Sequence, residues 1–179
     1  MYDYNLDGLS EAFLIELAKE GVSNELMERL AKNKHENVRI AVAQKGNLSE
    51  SVMDRLAEDE SKLVREPICK RKKLTRKIVE KLSEDEEPDI RLCIARRKSL
   101  PKEILENLAK DSDKWVRMEI ARRNRLPDEV LKVLANDKEV EVRLLIAERP
   151  NIPRNVEQIL KNDPEWIVRF QMKVREGGK

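Results

Sequence analysis

The sequence predicts an all-α fold, an α-solenoid built from two-helix repeats. Three observations lead there. The chain matches itself at an offset of 26 residues, so that Leu100-Pro101-Lys102-Glu103-Ile104-Leu105-Glu106-Asn107-Leu108-Ala109 aligns with Leu126-Pro127-Asp128-Glu129-Val130-Leu131-Lys132-Val133-Leu134-Ala135. Apolar residues within each repeat recur at helical spacing. Neither helix of a repeat is long enough to bury its apolar face alone, whereas stacked copies can bury it against one another.

Six repeats start at 22, 48, 74, 100, 126 and 152, with no insertion between them. In the fourth, Leu100, Ile104, Leu105, Leu108 and Ala109 form the stripe of an amphipathic first helix. Its entry residue is Ser23, Ser49, Thr75, Pro101, Pro127 or Pro153 across the series. A hydroxyl there can cap free N–H groups, and proline is tolerated because that N–H needs no intrahelical partner. The ninth position is always leucine, from Leu30 to Leu160. A polar turn follows, marked by Asn33, Asp59, Asp85, Asp111, Asp137 or Asp163. Asp163-Pro164 reads as a cap followed by proline at the first helical position. The second helix, as in Val116-Arg117-Met118-Glu119-Ile120-Ala121-Arg122-Arg123, is short enough that part of it could be 3₁₀. Pro67 inside this segment predicts a late start or a kink in the second repeat. At helix spacings of about 8–10 Å, six repeats would span roughly 50–60 Å.

The ends differ from the middle. Leu9 to Ala18 resembles the first helix of a repeat without a second, so residues 1–21 are expected to form an N-terminal capping helix ahead of a solenoid over 22–177. In the last repeat Glu157, Lys161 and Lys173 replace small or apolar residues, as a terminal repeat with a polar outer face requires.

Composition bounds the function. Of 179 residues, 40% are apolar and 40% charged, and 37 Lys plus Arg against 35 Asp plus Glu leave a net charge of +2. No apolar run is long enough to cross a membrane, and no secretory signal is evident. A cytoplasmic, reducing setting is the expectation, with no membrane partner. Cys69 and Cys93 make no C-x-x-C pair, and His35 is the sole histidine, so neither metal nor cofactor is expected. Cys69 lies in the column of Ala43, Ala95, Ala121 and Ala147 and reads as a small buried residue. No Gly-rich phosphate loop or nucleophile elbow is present.

The pattern Leu-Pro-x-Glu-(Val/Ile)-Leu-x-x-Leu-Ala-x-Asp…Val-Arg-x-x-Ile-Ala-x-Arg, seen at 100–123, resembles the leucine-rich repeat variant family. The same pattern recurs at 126–149, where Glu148 precedes Arg149. That resemblance implies a HEAT-like, right-handed superhelix in which an α-helix alternates with a 3₁₀ helix. The known type of the family also has an N-terminal cysteine cluster holding an iron–sulfur centre. Residues 1–21 contain no cysteine, so that function is not carried over.

Two basic columns are candidate sites. Arg39, Arg65, Arg91, Arg117, Arg143 and Arg169 follow the second-helix valine or isoleucine in every repeat. They read either as a ligand-binding ladder or as structural forks onto the turn Asp or Asn and its carbonyls. A side chain needed once per repeat favours the structural reading. The second column, Lys45, Arg71, Arg97, Arg123, Arg149 and Arg175, ends the second helix, where positive charge suits the dipole. Its surroundings in repeats two to four are strongly basic: Lys70, Lys72, Lys73, Arg76, Lys77, Arg96, Lys98, Lys102, Arg122 and Arg125, with Arg71, Arg97 and Arg123 among them. Such an edge could take an acidic protein or nucleic-acid phosphates, or serve only as solvated surface. No aromatic interleaves with it, which leaves backbone contacts as the supported nucleic-acid mode. Trp115 and Trp166 are expected to pack over the inter-helix turns. A non-catalytic protein-interaction scaffold is the first expectation, nucleic-acid binding through the basic edge the second, and an enzyme of HEAT-like fold the third.

Overall fold

A computed structural model describes residues 6, 8–20 and 22–177, with only the backbone for 176 and 177. Tyr2 and Tyr4 lie outside the described residues. The chain is all-helical among them: α1 (Glu11–Lys19), α2 (Asn24–Leu30), α3 (Glu36–Gln44), α4 (Glu50–Leu56), α5 (Lys62–Cys69), α6 (Arg76–Ser83), α7 (Pro88–Ala95), α8 (Lys102–Leu108), α9 (Lys114–Ala121), α10 (Asp128–Ala135), α11 (Val140–Ala147), α12 (Arg154–Lys161) and α13 (Trp166–Gly177). The even-numbered helices from α2 to α12 begin at 24, 50, 76, 102, 128 and 154, each 26 residues after the last. Both helices of each pair are α-helical, and no 3₁₀ run occurs among the described residues.

The entry residues act as their chemistry suggests. Ser23, Ser49 and Thr75 accept a hydrogen bond from the backbone N–H three residues on. Pro101, Pro127 and Pro153 stand at the same position without a side-chain cap. At the turn, the marker side chain accepts the N–H two residues later: Asn33 from His35, Asp59 from Ser61, Asp85 from Glu87, Asp111 from Asp113, Asp137 from Glu139 and Asp163 from Glu165. These are Asx turns, which redirect the backbone between helices. Asp163-Pro164 thus forms the turn rather than the helix start, since α13 opens at Trp166. Pro67 neither delays nor ends α5, which begins five residues earlier and runs to Cys69. The N–H that proline lacks would have met the carbonyl of Leu63, an exposed residue.

The chain divides into an N-terminal half, residues 1–90, and a C-terminal half, residues 91–179, with the division inside α7. In the N-terminal half α1, α3 and α5 pack as one layer and α2, α4 and α6 as the other. In the C-terminal half α9, α11 and α13 form one layer, and α8, α10 and α12 the other. Within each half, helices of one layer meet the next helix of that layer, and pairs such as α2 and α3, α4 and α5, α8 and α9, and α10 and α11 meet across the layers. That is the contact pattern of an α-solenoid. Between the layers lie Leu30 and Leu56 in the first half, and Leu108, Leu134 and Leu160 in the second. Val38 and Val64, then Val116, Val142 and Val168, face them with no measurable exposure. Full burial of each such side chain is worth about 1.5–3 kcal/mol.

The placement of α1 corrects one sequence reading. Leu9 to Ala18 resembles a first helix, yet α1 packs chiefly on α3, in the second-helix layer, and only lightly on α2. Lys45 Nζ donates to the carbonyls of Lys19, at 2.9 Å, and Glu20 at the end of α1. At the other end, Lys161 pairs with Glu157 at 3.1 Å, and Lys173 is exposed.

Candidate functional site

The six repeat arginines are positioned by the one-turn setting of each second helix. Arg117 Nη1 donates to the carbonyls of Asp111 and Ser112, at 2.8 and 3.1 Å, in the turn just before its own helix. Its other edge forks onto Asp137: Nε to Oδ2 at 2.6 Å and Nη2 to Oδ1 at 3.0 Å. The carboxylate lies twenty residues ahead, in the following repeat. Arg39 holds Asp59 in this way, Arg65 holds Asp85, Arg91 holds Asp111 and Arg143 holds Asp163. The sequence reading placed the partner within the arginine's own repeat; the fork in fact reaches the next one, while the turn carbonyls are its own. Hydrogen bonding to the aspartate, against the opposing effect of burial, raises the Arg39, Arg65, Arg117 and Arg143 pKa above the ordinary value. Buried and held on both edges, the guanidinium groups of Arg39, Arg65, Arg117 and Arg143 are engaged chiefly within the protein.

The second basic column is also engaged. Arg71 donates to the carbonyls of Gly46 at 2.8 Å, Ala43 at 3.1 Å and Lys45. Arg123 reaches Ala95, Arg97 and Lys98 at 2.6–2.9 Å, and Arg149 reaches Ala121, Arg123 and Asn124 at 2.6–3.0 Å. Each thus caps the C-terminal carbonyls of the second helix one repeat earlier, where the helix dipole is negative. Burial lowers the pKa of Arg71, Arg97, Arg123 and Arg149.

The remaining basic residues line two shallow grooves, one in each half. The groove in the N-terminal half, about 670 Å³, is lined by Lys70, Arg71, Lys72 and Lys73 together with Met53 and Pro67. Lys70 pairs with Glu66 at 2.6 Å. Outside the groove, Arg76 pairs with Glu80 and Lys77 with Asp54, both at 2.6 Å. The groove in the C-terminal half, about 460 Å³, is lined by Arg96, Lys98, Glu119, Arg122, Arg123 and Arg125, with Ala95 and Arg97. Arg96 lies 3.7 Å from Glu119, and Lys102 lies 3.5 Å from Glu106. Lys98, Arg122 and Arg125 are exposed and make no ion pair among the described residues. No aromatic residue lines either groove.

Other candidates resolve as follows. Trp115 and Trp166 do not pack over turns: they are 54% and 65% exposed. Lys114 Nζ sits 5.2 Å above the Trp115 ring. His35 stands at the start of α3, its Nδ1 3.6 Å from Glu11. Cys69 is buried in the alanine column, as a small core residue there should be, and neither it nor Cys93 is a free thiol. Among the described residues no cluster of three or more His, Cys, Asp or Glu could hold a metal ion. None of their helices is long and apolar enough to cross a membrane.

No family model matches the chain, and no curated protein does. Among solved structures it is similar to a leucine-rich repeat variant described as having a novel repetitive protein structural motif. The two are 26% identical, with a TM-score of 0.65, over 89% of this chain and 69% of the other. At the level of the fold the chain is similar to that leucine-rich repeat variant, consistent with a HEAT-like helical repeat.

Proposed function

We propose that the chain is a non-catalytic scaffold that docks a protein partner, with the groove of the C-terminal half receiving an acidic segment. The observation behind this reading is the division of labour among the basic residues. Around this groove the column arginine Arg123 is committed to backbone carbonyls, which leaves Lys98, Arg122 and Arg125 as open cations. Three open cations beside the carboxylate of Glu119, without an aromatic, suit a short acidic peptide. A track of nucleic-acid phosphates would call for a longer run of unpaired charge. The helical-repeat fold supports the same reading, because stacked repeats offer broad surfaces for partners.

Fluorescence anisotropy with a labelled 12-residue polyglutamate peptide, and with duplex and single-stranded DNA, tests it at two salt concentrations. The comparison variant changes Lys98, Arg122 and Arg125 to glutamine. Peptide binding that this variant abolishes, with weaker binding of DNA, is the expected result. Tighter DNA binding that depends on the same three residues and falls steeply with salt would replace the protein partner by nucleic acid. No binding of either probe would return the groove to ordinary solvated surface.

A further inference from the structure

We propose that the outer face of α13 is a second docking surface, for an acidic amphipathic helix of another protein, with Arg169 receiving its carboxylate. Arg169 is oriented like the other repeat arginines. Its Nη1 donates to the carbonyls of Asp163 and Pro164, at 2.5 and 2.7 Å, just as Arg143 Nη1 donates to Asp137 and Lys138. In five other repeats the opposite edge of the guanidinium grips an aspartate through Nε and Nη2. For Arg169 no carboxylate fills that edge among the described residues, and Glu165, one turn earlier, makes no ion pair with it. The fork is therefore set in a geometry that the same molecule uses five times to bind a carboxylate. Little further ordering is needed on binding.

The neighbouring side chains say what else the ligand must present. At 100° per residue, Trp166, Phe170 and Val174 follow one another at i, i+4 and i+8, with Arg169 and Lys173 along their flank. The three apolar side chains are 65%, 53% and 51% exposed. The Trp166 and Phe170 rings are 6.3 Å apart and tilted by 58°, forming a continuous apolar strip. An apolar strip flanked by two cations fits a helix with an apolar face edged by acids.

A second copy stacked in repeat register does not fit. In the N-terminal half α1 already lies on α3, in the layer where an added second helix would pack. The marker residue there is Asn33, an amide, and the residue 26 before Arg39 is Phe13 rather than arginine. The face of α13 is independent of the basic grooves, so the inference stands or falls apart from the function proposed above.

The test is a selection of displayed 16-residue helical peptides on the full chain, followed by anisotropy titration of the enriched sequences as synthetic peptides. Expected are peptides with Asp or Glu beside an apolar stripe. Their affinity should fall at least tenfold in Arg169→Gln and in Trp166→Ser/Phe170→Ser, with partial recovery in Arg169→Lys, which cannot form the bidentate fork. Lys173→Glu, which leaves the Arg169 carbonyl bonds intact, should weaken binding several-fold. The glutamine variant of Lys98, Arg122 and Arg125 should leave it unchanged. Failure to enrich any sequence, or enriched peptides that lack carboxylates or ignore Arg169→Gln and Lys173→Glu, would overturn the proposal. So would a concentration-dependent dimer in sedimentation that buries Trp166, since it would assign the face to a second copy.

Discussion

Replacing Asp137 with alanine is the most direct trial of the view that the arginine column joins successive repeats. The Arg117 and Asp137 side chains are each only 5% exposed. Deleting the carboxylate strands Nε and Nη2 of Arg117 in a buried setting, while Nη1 stays on its turn carbonyls. The N–H of Glu139 loses its Asx acceptor at the same time. Breaking one side of a buried pair costs about 3–5 kcal/mol, because the remaining charge is left uncompensated. Asp137→Asn keeps the shape and the Asx acceptor, and should lose about 1.5–3 kcal/mol. The double variant Arg117→Met/Asp137→Leu removes both charges and should recover most of the alanine variant's loss. Asp128, in the first turn of α10, serves as the control, with a cost below about 1 kcal/mol on alanine substitution. Urea unfolding at pH 7, followed by circular dichroism, gives all four values. The reasoning fails if Asp137→Ala costs no more than the Asp128 control, or if the double variant is less stable than either single one.

Acid should act on the same ladder. Burial pushes Asp163 up, but the hydrogen bonds from Arg143 and the Glu165 N–H, with the charges of Arg143 and Arg169, bring its pKa below the usual 3.8. A carboxyl depressed in the folded state stabilises fully above its unfolded pKa, and that contribution disappears as pH falls through the folded value. The native chain should therefore lose stability below about pH 4, and Asp163→Asn should show a flatter melting profile across that range. Arg123→Ala removes the donor to three carbonyls and should cost about 1.5–3 kcal/mol in urea unfolding. The exposed neighbour Arg122→Ala should stay within about 0.5 kcal/mol. Pro67→Ala restores a donor inside α5 and should raise stability by about 1–2 kcal/mol, seen as a higher melting temperature.

Much of the architecture is legible in the residues because it depends on local chemistry. Leucine at the ninth position, hydroxyls or proline at the entry, and Asx residues at the turn each act within a few residues of themselves. The arginine partner was not legible, for a definite reason. In a strict array, the marker six residues before an arginine and the one twenty residues after it belong to the same column. Periodicity cannot say which of them is held. One signal was present at the edge: Asn33 replaces aspartate in the one repeat with no arginine twenty residues before it, where Phe13 stands. That substitution makes sense only if each carboxylate serves the arginine of the preceding repeat. The second column was read as favourable to the helix dipole, which is so in kind. Its acceptors, however, belong to the previous second helix, and only stacking brings them within reach.

Repeat length, helix periodicity, capping and core columns were thus determined by the sequence alone, since they arise from backbone geometry and the burial of regularly spaced side chains. The tertiary structure decided which copy of a periodic column each charged side chain meets, and so which cations are spent. It placed α1 in the second-helix layer, because an apolar stripe of one helix does not record which layer it will cover. It also left Trp166 and Phe170 in solvent beside Arg169. Exposure there depends on whether another element packs against that face, which is a property of the assembled stack and not of the segment.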